Sequence, residues 1–223
     1  MNHTRRFSIA LAMTVLAMPF GLPGLAQDRV DQDRAEERLD ALLLDIESLG
    51  AEVLQLIVES DGGVLEESEI QMYLKKPGRF YWETLDPFPE LVVTDGDTLW
   101  NYQPDLEQVV IEDWNSSESE LAAQLLSGQT DQLKQEYRIT LADAEDIEFD
   151  EFQLQPLAAD SVYAGIRISF QQGELDSIHL SNKNGQQTVW RFSEVQRNLE
   201  LEESLFKFVP PVGIEVVDNS SPP

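Results

Sequence analysis

The chain has 223 residues, no cysteine, and 42 acidic against 15 basic side chains, a formal charge of −27. Absence of cysteine excludes disulfides, a thiol nucleophile and a lipid anchor attached through cysteine. A surface this acidic repels nucleic acid and anionic lipid headgroups.

In chain order, the first element is an address. Arg5 and Arg6 precede an apolar run from Phe7 to Phe20, and Gly24-Leu25-Ala26 supplies small residues at a cleavage position. The pattern predicts an export signal over 1–26, removed after Ala26, and a product released outside the cytoplasm. The remaining residues, about two hundred, suit one domain over 27–218. Asn219-Ser-Ser-Pro-Pro is expected to fray.

Gln32–Leu49 reads as an amphipathic helix. Ala35, Leu39, Leu42, Leu43, Ile46 and Leu49 recur at helical spacing, and Gly50 suits its stop. Strand-like runs follow at Glu52–Ser60, Val64–Leu74, Arg79–Thr84, Glu90–Thr94, Thr98–Tyr102 and Gln108–Glu112. Asp61-Gly62-Gly63 and Asp95-Gly96 are hairpin turns between them. Pro87 and Pro89 belong to a loop, because proline cannot donate to a ladder.

Asn115 or Ser116 can cap a second short helix, Leu121–Ser127, with Leu121, Ala122, Leu125 and Leu126 on one stripe. Strands resume at Tyr137–Leu141, Glu148–Gln155, Ala164–Gln171, Asp176–Ser181 and Gln186–Phe192, with turns at Gln172-Gly173 and Asn184-Gly185. Leu157–Ser161 fits either a short helix or a loop. Leu205–Val209 and Ile214–Val217 are the last strand candidates. The sum is ten or eleven antiparallel strands and two or three short helices. Such a sheet curls, and an apolar concave face must be filled, covered by a helix or occupied by a ligand.

Nothing in the pattern points to catalysis. His179 is the one histidine beyond the signal, in an alternating strand, with no nucleophile elbow anywhere in the chain. The acids from Asp143 to Glu151 lack the glycine-anchored spacing of a calcium loop. A single histidine without thiols does not make a zinc site. Carboxylate chemistry needs a spatial pairing that a sequence does not display. The expectation is a non-enzyme without metal or cofactor.

Two blocks resemble a known family. Lys75-Lys-Pro-Gly-Arg-Phe-Tyr-Trp82, then Thr94-Asp-Gly-Asp-Thr-Leu-Trp-Asn-Tyr102 and Pro104-Asp-Leu-Glu-Gln108, form the first. Asn184-Gly-Gln-Gln-Thr-Val-Trp-Arg-Phe192, leading through Asn198 to Phe206-Lys-Phe-Val-Pro-Pro-Val-Gly213, forms the second. In this order, behind an export signal, they are similar to the LolA family of periplasmic lipoprotein carriers.

The resemblance implies a mainly β (α+β) fold: an open, strongly curved antiparallel half-barrel capped by a lid of short helices. It implies a chaperone that holds the acyl chains of lipoproteins released from the inner membrane and delivers them to an outer-membrane receptor. Its partners would be acylated lipoproteins, a releasing ABC transporter in the inner membrane and that receptor, with a monomer as the default state. The same fold class also serves glycolipid-binding proteins and envelope-stress sensors, which is the alternative. An arginine of the family ties sheet to lid. Here that position is Lys76, which keeps the charge and loses the planar fork. The expected acyl-cavity residues are Leu39, Leu43, Ile46, Phe80, Trp82, Leu91, Val93, Trp100, Tyr102, Leu125 and Leu126.

Overall fold

A computed structural model of the chain describes residues 23–114, 130–142 and 148–221. The export signal up to residue 22, the helix expected at Leu121–Ser127 (with Leu125 and Leu126), and the acids 143–147 lie outside the described residues.

Helix α1 (Pro23–Leu44) leads into a six-strand meander: β1 (Ser48–Val58), β2 (Val64–Lys75), β3 (Arg79–Asp86), β4 (Glu90–Thr94), β5 (Thr98–Gln103) and β6 (Gln108–Asp113). Helix α2 (Thr130–Glu136) opens the second meander of β7 (Tyr137–Leu141), β8 (Phe149–Pro156), β9 (Tyr163–Gln171), β10 (Glu174–Asn182) and β11 (Gln187–Arg197). β12 (Glu215–Asp218) closes the chain. All twelve strands join one open curved sheet in the order β12-β6-β5-β4-β3-β2-β1-β11-β10-β9-β8-β7. The two meanders meet at one seam, where β1 pairs antiparallel with β11 from Leu49↔Arg197 to Val58↔Gln187.

Register decides which side chains share a face, because directly paired residues point the same way. Leu49, Ala51 and Val53 stand opposite Leu74, Met72 and Ile70. Leu74 and Met72 in turn oppose Phe80 and Trp82. Across the seam Val53 opposes Phe192, and the row continues through Ile178, Ile168, Phe152 and Ile139 in the second meander. Helix α1 lays Ala35, Leu39, Leu42 and Leu43 on this inner face, and all of these but Trp82 are buried in one cluster, with Trp82 packed against it.

Among the described residues, the outer face of the first meander is covered. After β11 the chain crosses it as a strap. Phe206 is 0% exposed there, and the Phe208 ring lies 5.3 Å from Tyr102. The strap passes close because β1 has Gly50 beneath it: a Cβ there would meet Leu199 Cδ1 at 2.8 Å and the Tyr73 ring at 3.1 Å.

Several expectations need correction. The first helix ends at Leu44, not Leu49, because Ser48, Leu49 and Gly50 pair with Lys75, Leu74 and Tyr73. Gly50 is a strand residue rather than a helix stop. Leu205–Val209 is no strand: Glu203–Phe206 is a 3-10 turn within the strap. Leu157–Ser161 resolves as a loop. β12 pairs parallel with β6, so the sheet is not purely antiparallel. Nor does the tail fray up to Ser221. Asn219 N donates to the Ile111 carbonyl at 2.8 Å, and Ser221 N to Asp113 Oδ2 at 3.0 Å. No helix among the described residues is long and apolar enough to cross a membrane.

Candidate functional site

The inner face and its lid helix form the candidate site. Phe80 and Trp82 alternate along β3 onto this face, their rings stacked with centroids 5.7 Å apart. Trp190 meets Trp82 edge-on at 6.4 Å, and its Nε1 donates to Gln55 Oε1 at 2.7 Å. That bond satisfies the Trp190 indole N–H, so this ring meets the cluster with its donor already paired. From the lid, Leu39 and Leu43 reach the same cluster; Ile46, just past the helix end, is also buried in it.

The other four expected residues of the sheet lie elsewhere. Phe80 opposes Thr94 and Trp82 opposes Val92. Leu91 and Val93 are therefore on the opposite face, and so are their partners Tyr102 and Trp100. These four belong to the outer face; Tyr102 meets the strap at Phe208, and Val93 is buried. Their period-two spacing is right, but their side of the sheet is not that of Phe80. Sequence reasoning misses Trp190, Ile70 and Met72. The signal for Trp190 is its alternation with Phe192; Ile70 and Met72 show the same alternation with Leu74.

The lid is fastened at defined points. Lys76 Nζ donates to the Leu43 carbonyl oxygen at 3.0 Å. Helix C-termini leave carbonyls without an intrahelical partner, and a cation there also meets the negative end of the helix dipole. Arg38 reaches β8, with Nε 3.1 Å from Asp150 Oδ1 and Nη2 2.7 Å from Oδ2. This paired geometry holds the guanidinium still more firmly protonated. Lys134 of α2 pairs with Asp40 at 2.5 Å.

The connection from α1 to β1 is held by Asn198. Its Oδ1 accepts from Glu47 N at 2.8 Å, its Nδ2 donates to the Asp45 carbonyl at 3.0 Å, and its own N–H donates to Ser48 O at 2.8 Å. Asn198 has φ +56°, a conformation asparagine tolerates better than most residues. Neither Arg38–Asp150 nor this clamp leaves a sequence signal, since the partners are more than a hundred positions apart.

His179 lies on the outer face of β10 opposite Arg167 and Val189. Burial, then the charges of Arg167 and Arg191, push its pKa below the usual histidine value. No group of three or more potential metal ligands occurs among the described residues.

The model of the family described as outer membrane lipoprotein carrier protein LolA matches residues 45–209, the sheet from just before β1 to the strap. The chain belongs to the LolA family. A protein of Chromohalobacter salexigens named outer-membrane lipoprotein carrier protein is 33% identical over 213 residues, covering 96% of this chain and 98% of the relative. A Dechloromonas aromatica protein of the same name is 35% identical over 184 residues, covering 82% and 87%. One from Pseudomonas aeruginosa is 31% identical over 194 residues, covering 87% and 92%. Seen as a LolA-family sheet, the block from Lys75 to Trp82 supplies both the lysine at the lid and the aromatic pair beneath it.

Proposed function

We propose that this chain is a periplasmic lipoprotein carrier, exported by its N-terminal signal, and that acyl chains lodge between α1 and the inner face of the sheet. One observation carries the reading. An apolar face rich in aliphatic and aromatic groups is covered by an amphipathic helix whose C-terminal end accepts a hydrogen bond from Lys76 of the β2–β3 turn.

Each methylene removed from water is worth about 0.8 kcal/mol, so a free acylated lipoprotein in an aqueous compartment is very costly. Shelter among side chains offsets that cost with no bond made or broken, and release needs only that the lid give way. The carrier takes cargo from a releasing ABC transporter in the inner membrane and hands it to a receptor at the outer membrane. It acts as a monomer and uses no cofactor. The relatives named as lipoprotein carriers support this assignment.

The test adds purified protein to spheroplasts displaying a labelled acylated lipoprotein. A soluble one-to-one complex is expected, and Phe80→Glu, which sets a carboxylate against Trp82, removes it. Because Phe80 is nearly buried, Trp82→Ala is the second variant, with near-UV circular dichroism as the check on folding. Absence of a complex, or complex formation untouched by both variants, overturns the assignment in favour of a sensor or glycolipid-binding role.

A further inference from the structure

The inner face is not apolar along its whole length. Near the Lys76 turn its cross-strand rows are hydrocarbon: Leu49, Leu74 and Phe80 lie side by side, then Ala51, Met72 and Trp82. Towards the β1–β2 hairpin the rows change character. Gln55 stands between Trp190 and Ser68. On the neighbouring strands Thr84 opposes Glu90, and Gln103 opposes Gln108. The two pairs are joined, since Gln103 Nε2 donates to Glu90 Oε1 at 3.0 Å.

These side chains share the inner face because each stands two positions from one of its apolar residues: Gln55 from Val53, Ser68 from Ile70, Thr84 from Trp82, Glu90 from Val92. A strand face that only packs against a core continues apolar at such positions. Here the alternation holds and the chemistry switches. Val53 and Ile70 are buried, whereas Gln55, Thr84, Glu90 and Gln103 are half-buried, so this end of the trough is within reach of a ligand.

The polar row is rich in acceptors. Ser68 Oγ donates to Glu66 Oε1 at 3.1 Å, and Gln55 Oε1 takes the Trp190 N–H. Glu66 and Glu90 each keep a second carboxylate oxygen free of protein donors among the described residues. One row nearer the lid, Asn101 lies between Val92 and Val110, and its Oδ1 is buried without a donor among the described residues. Asparagine is a poor strand residue, and a buried carbonyl lacking a donor is costly. Both penalties fall on one side chain, on the face proposed above to hold the cargo.

We propose that this row is the subsite for the peptide end of an acylated polypeptide. With the acyl chains under α1, amide N–H groups next to the lipidated residue donate to Asn101, Glu90 and Glu66. The proposal rests on the carrier assignment and adds the headgroup class that the trough prefers. A phospholipid of equal chain length brings a phosphate in place of N–H donors, and two carboxylates in a chain of charge −27 repel it. Discrimination against bulk membrane lipid is thereby built into the trough.

The test measures equilibrium binding of three tritiated ligands to the mature protein. The first is a neutral N-acetylated peptide amide whose first residue is S-dipalmitoylglyceryl cysteine. The second is the same lipopeptide with its backbone nitrogens methylated, and the third is dipalmitoyl phosphatidylglycerol. The lipopeptide is expected to bind at least about tenfold tighter than its methylated analogue, the scale of one or two net hydrogen bonds. Asn101→Leu should narrow that gap while binding of the methylated analogue, which doubles as the folding control, stays the same. Glu66→Gln with Glu90→Gln should raise the affinity for phosphatidylglycerol. Equal binding of the two lipopeptides overturns the subsite and leaves the carrier assignment standing. Binding of neither by folded protein overturns the carrier assignment and the subsite with it. A gap unmoved by Asn101→Leu, or phosphatidylglycerol bound as tightly as the lipopeptide, also overturns the subsite.

Discussion

Lys76 Nζ sits 3.0 Å from the carbonyl oxygen of Leu43, the penultimate residue of the lid helix. One side chain of the β2–β3 turn thus holds the C-terminal end of the lid. Lys76→Met keeps the stem and removes the donor. The expected loss is about 1 kcal/mol, the net worth of such a bond, with faster amide exchange confined to α1. Equal exchange across α1 and the sheet would show that the bond does not hold the lid. Lys76→Arg keeps a charged donor and loses less.

Asn198 gives a second, separable test. Asn198→Ala deletes two side-chain hydrogen bonds and places alanine at φ +56°. The expected cost is about 1–3 kcal/mol in urea denaturation. Asn198→Asp keeps the acceptor for Glu47 N and loses the donor to Asp45, so it should fall between alanine and wild type.

The two faces of the sheet predict opposite phenotypes for two tryptophans. Trp82 lies on the inner face and Trp100 on the outer. Trp82→Ala should weaken acyl-cargo binding at least about tenfold, since an aromatic contact of more than about 1.4 kcal/mol is removed. Trp100→Ala should leave cargo affinity unchanged. Equal losses in both would place the ligand somewhere other than the inner face.

How much of this was legible in the sequence follows from what alternation can and cannot report. Short hairpin turns and period-two runs give β4 and β7 with their observed bounds, Glu90–Thr94 and Tyr137–Leu141. Alternation also says that Trp100 and Tyr102 share a face. It does not say which face, because that depends on the register Phe80↔Thr94 set through the intervening turns. The helix boundary failed for a related reason. Ile46 and Leu49 continue the helical spacing by coincidence, while pairing of Ser48–Gly50 with β2 wins the backbone for the sheet. The strap reads as a strand because its apolar residues alternate, yet they pack on a sheet face instead of joining it.

Acidification tests the outer face. His179 is held below the ordinary histidine value of 6.5 by burial and by Arg167 and Arg191, with Glu151 and Asp176 opposing. As pH falls through 6.5 the unfolded chain takes up a proton that the folded chain resists. Stability from this group is therefore present above that pH and lost below it. The urea midpoint of wild type should fall relative to that of His179→Gln between about pH 8 and about pH 5. Parallel profiles would place the imidazole in an unperturbed setting.

Salt should stabilise the fold. With 42 acids against 15 bases, self-repulsion exceeds the gain from a few partly exposed ion pairs. Raising salt from about 0.01 M to about 1 M shortens screening from about 30 Å to about 3 Å. The melting temperature is expected to rise across that range; a fall would mean that Arg38–Asp150 and Lys134–Asp40 outweigh the repulsion.

The seam between β1 and β11 has a consequence for how the molecule is made. Within each meander neighbours in sequence are neighbours in space, so hairpins such as β2–β3 close small loops. Val53 and Phe192 must find each other across most of the chain before the two half-sheets become one. Until then the inner face is two loose hydrophobic surfaces rather than a single trough. Completion of the trough is a late event, waiting on synthesis of β11.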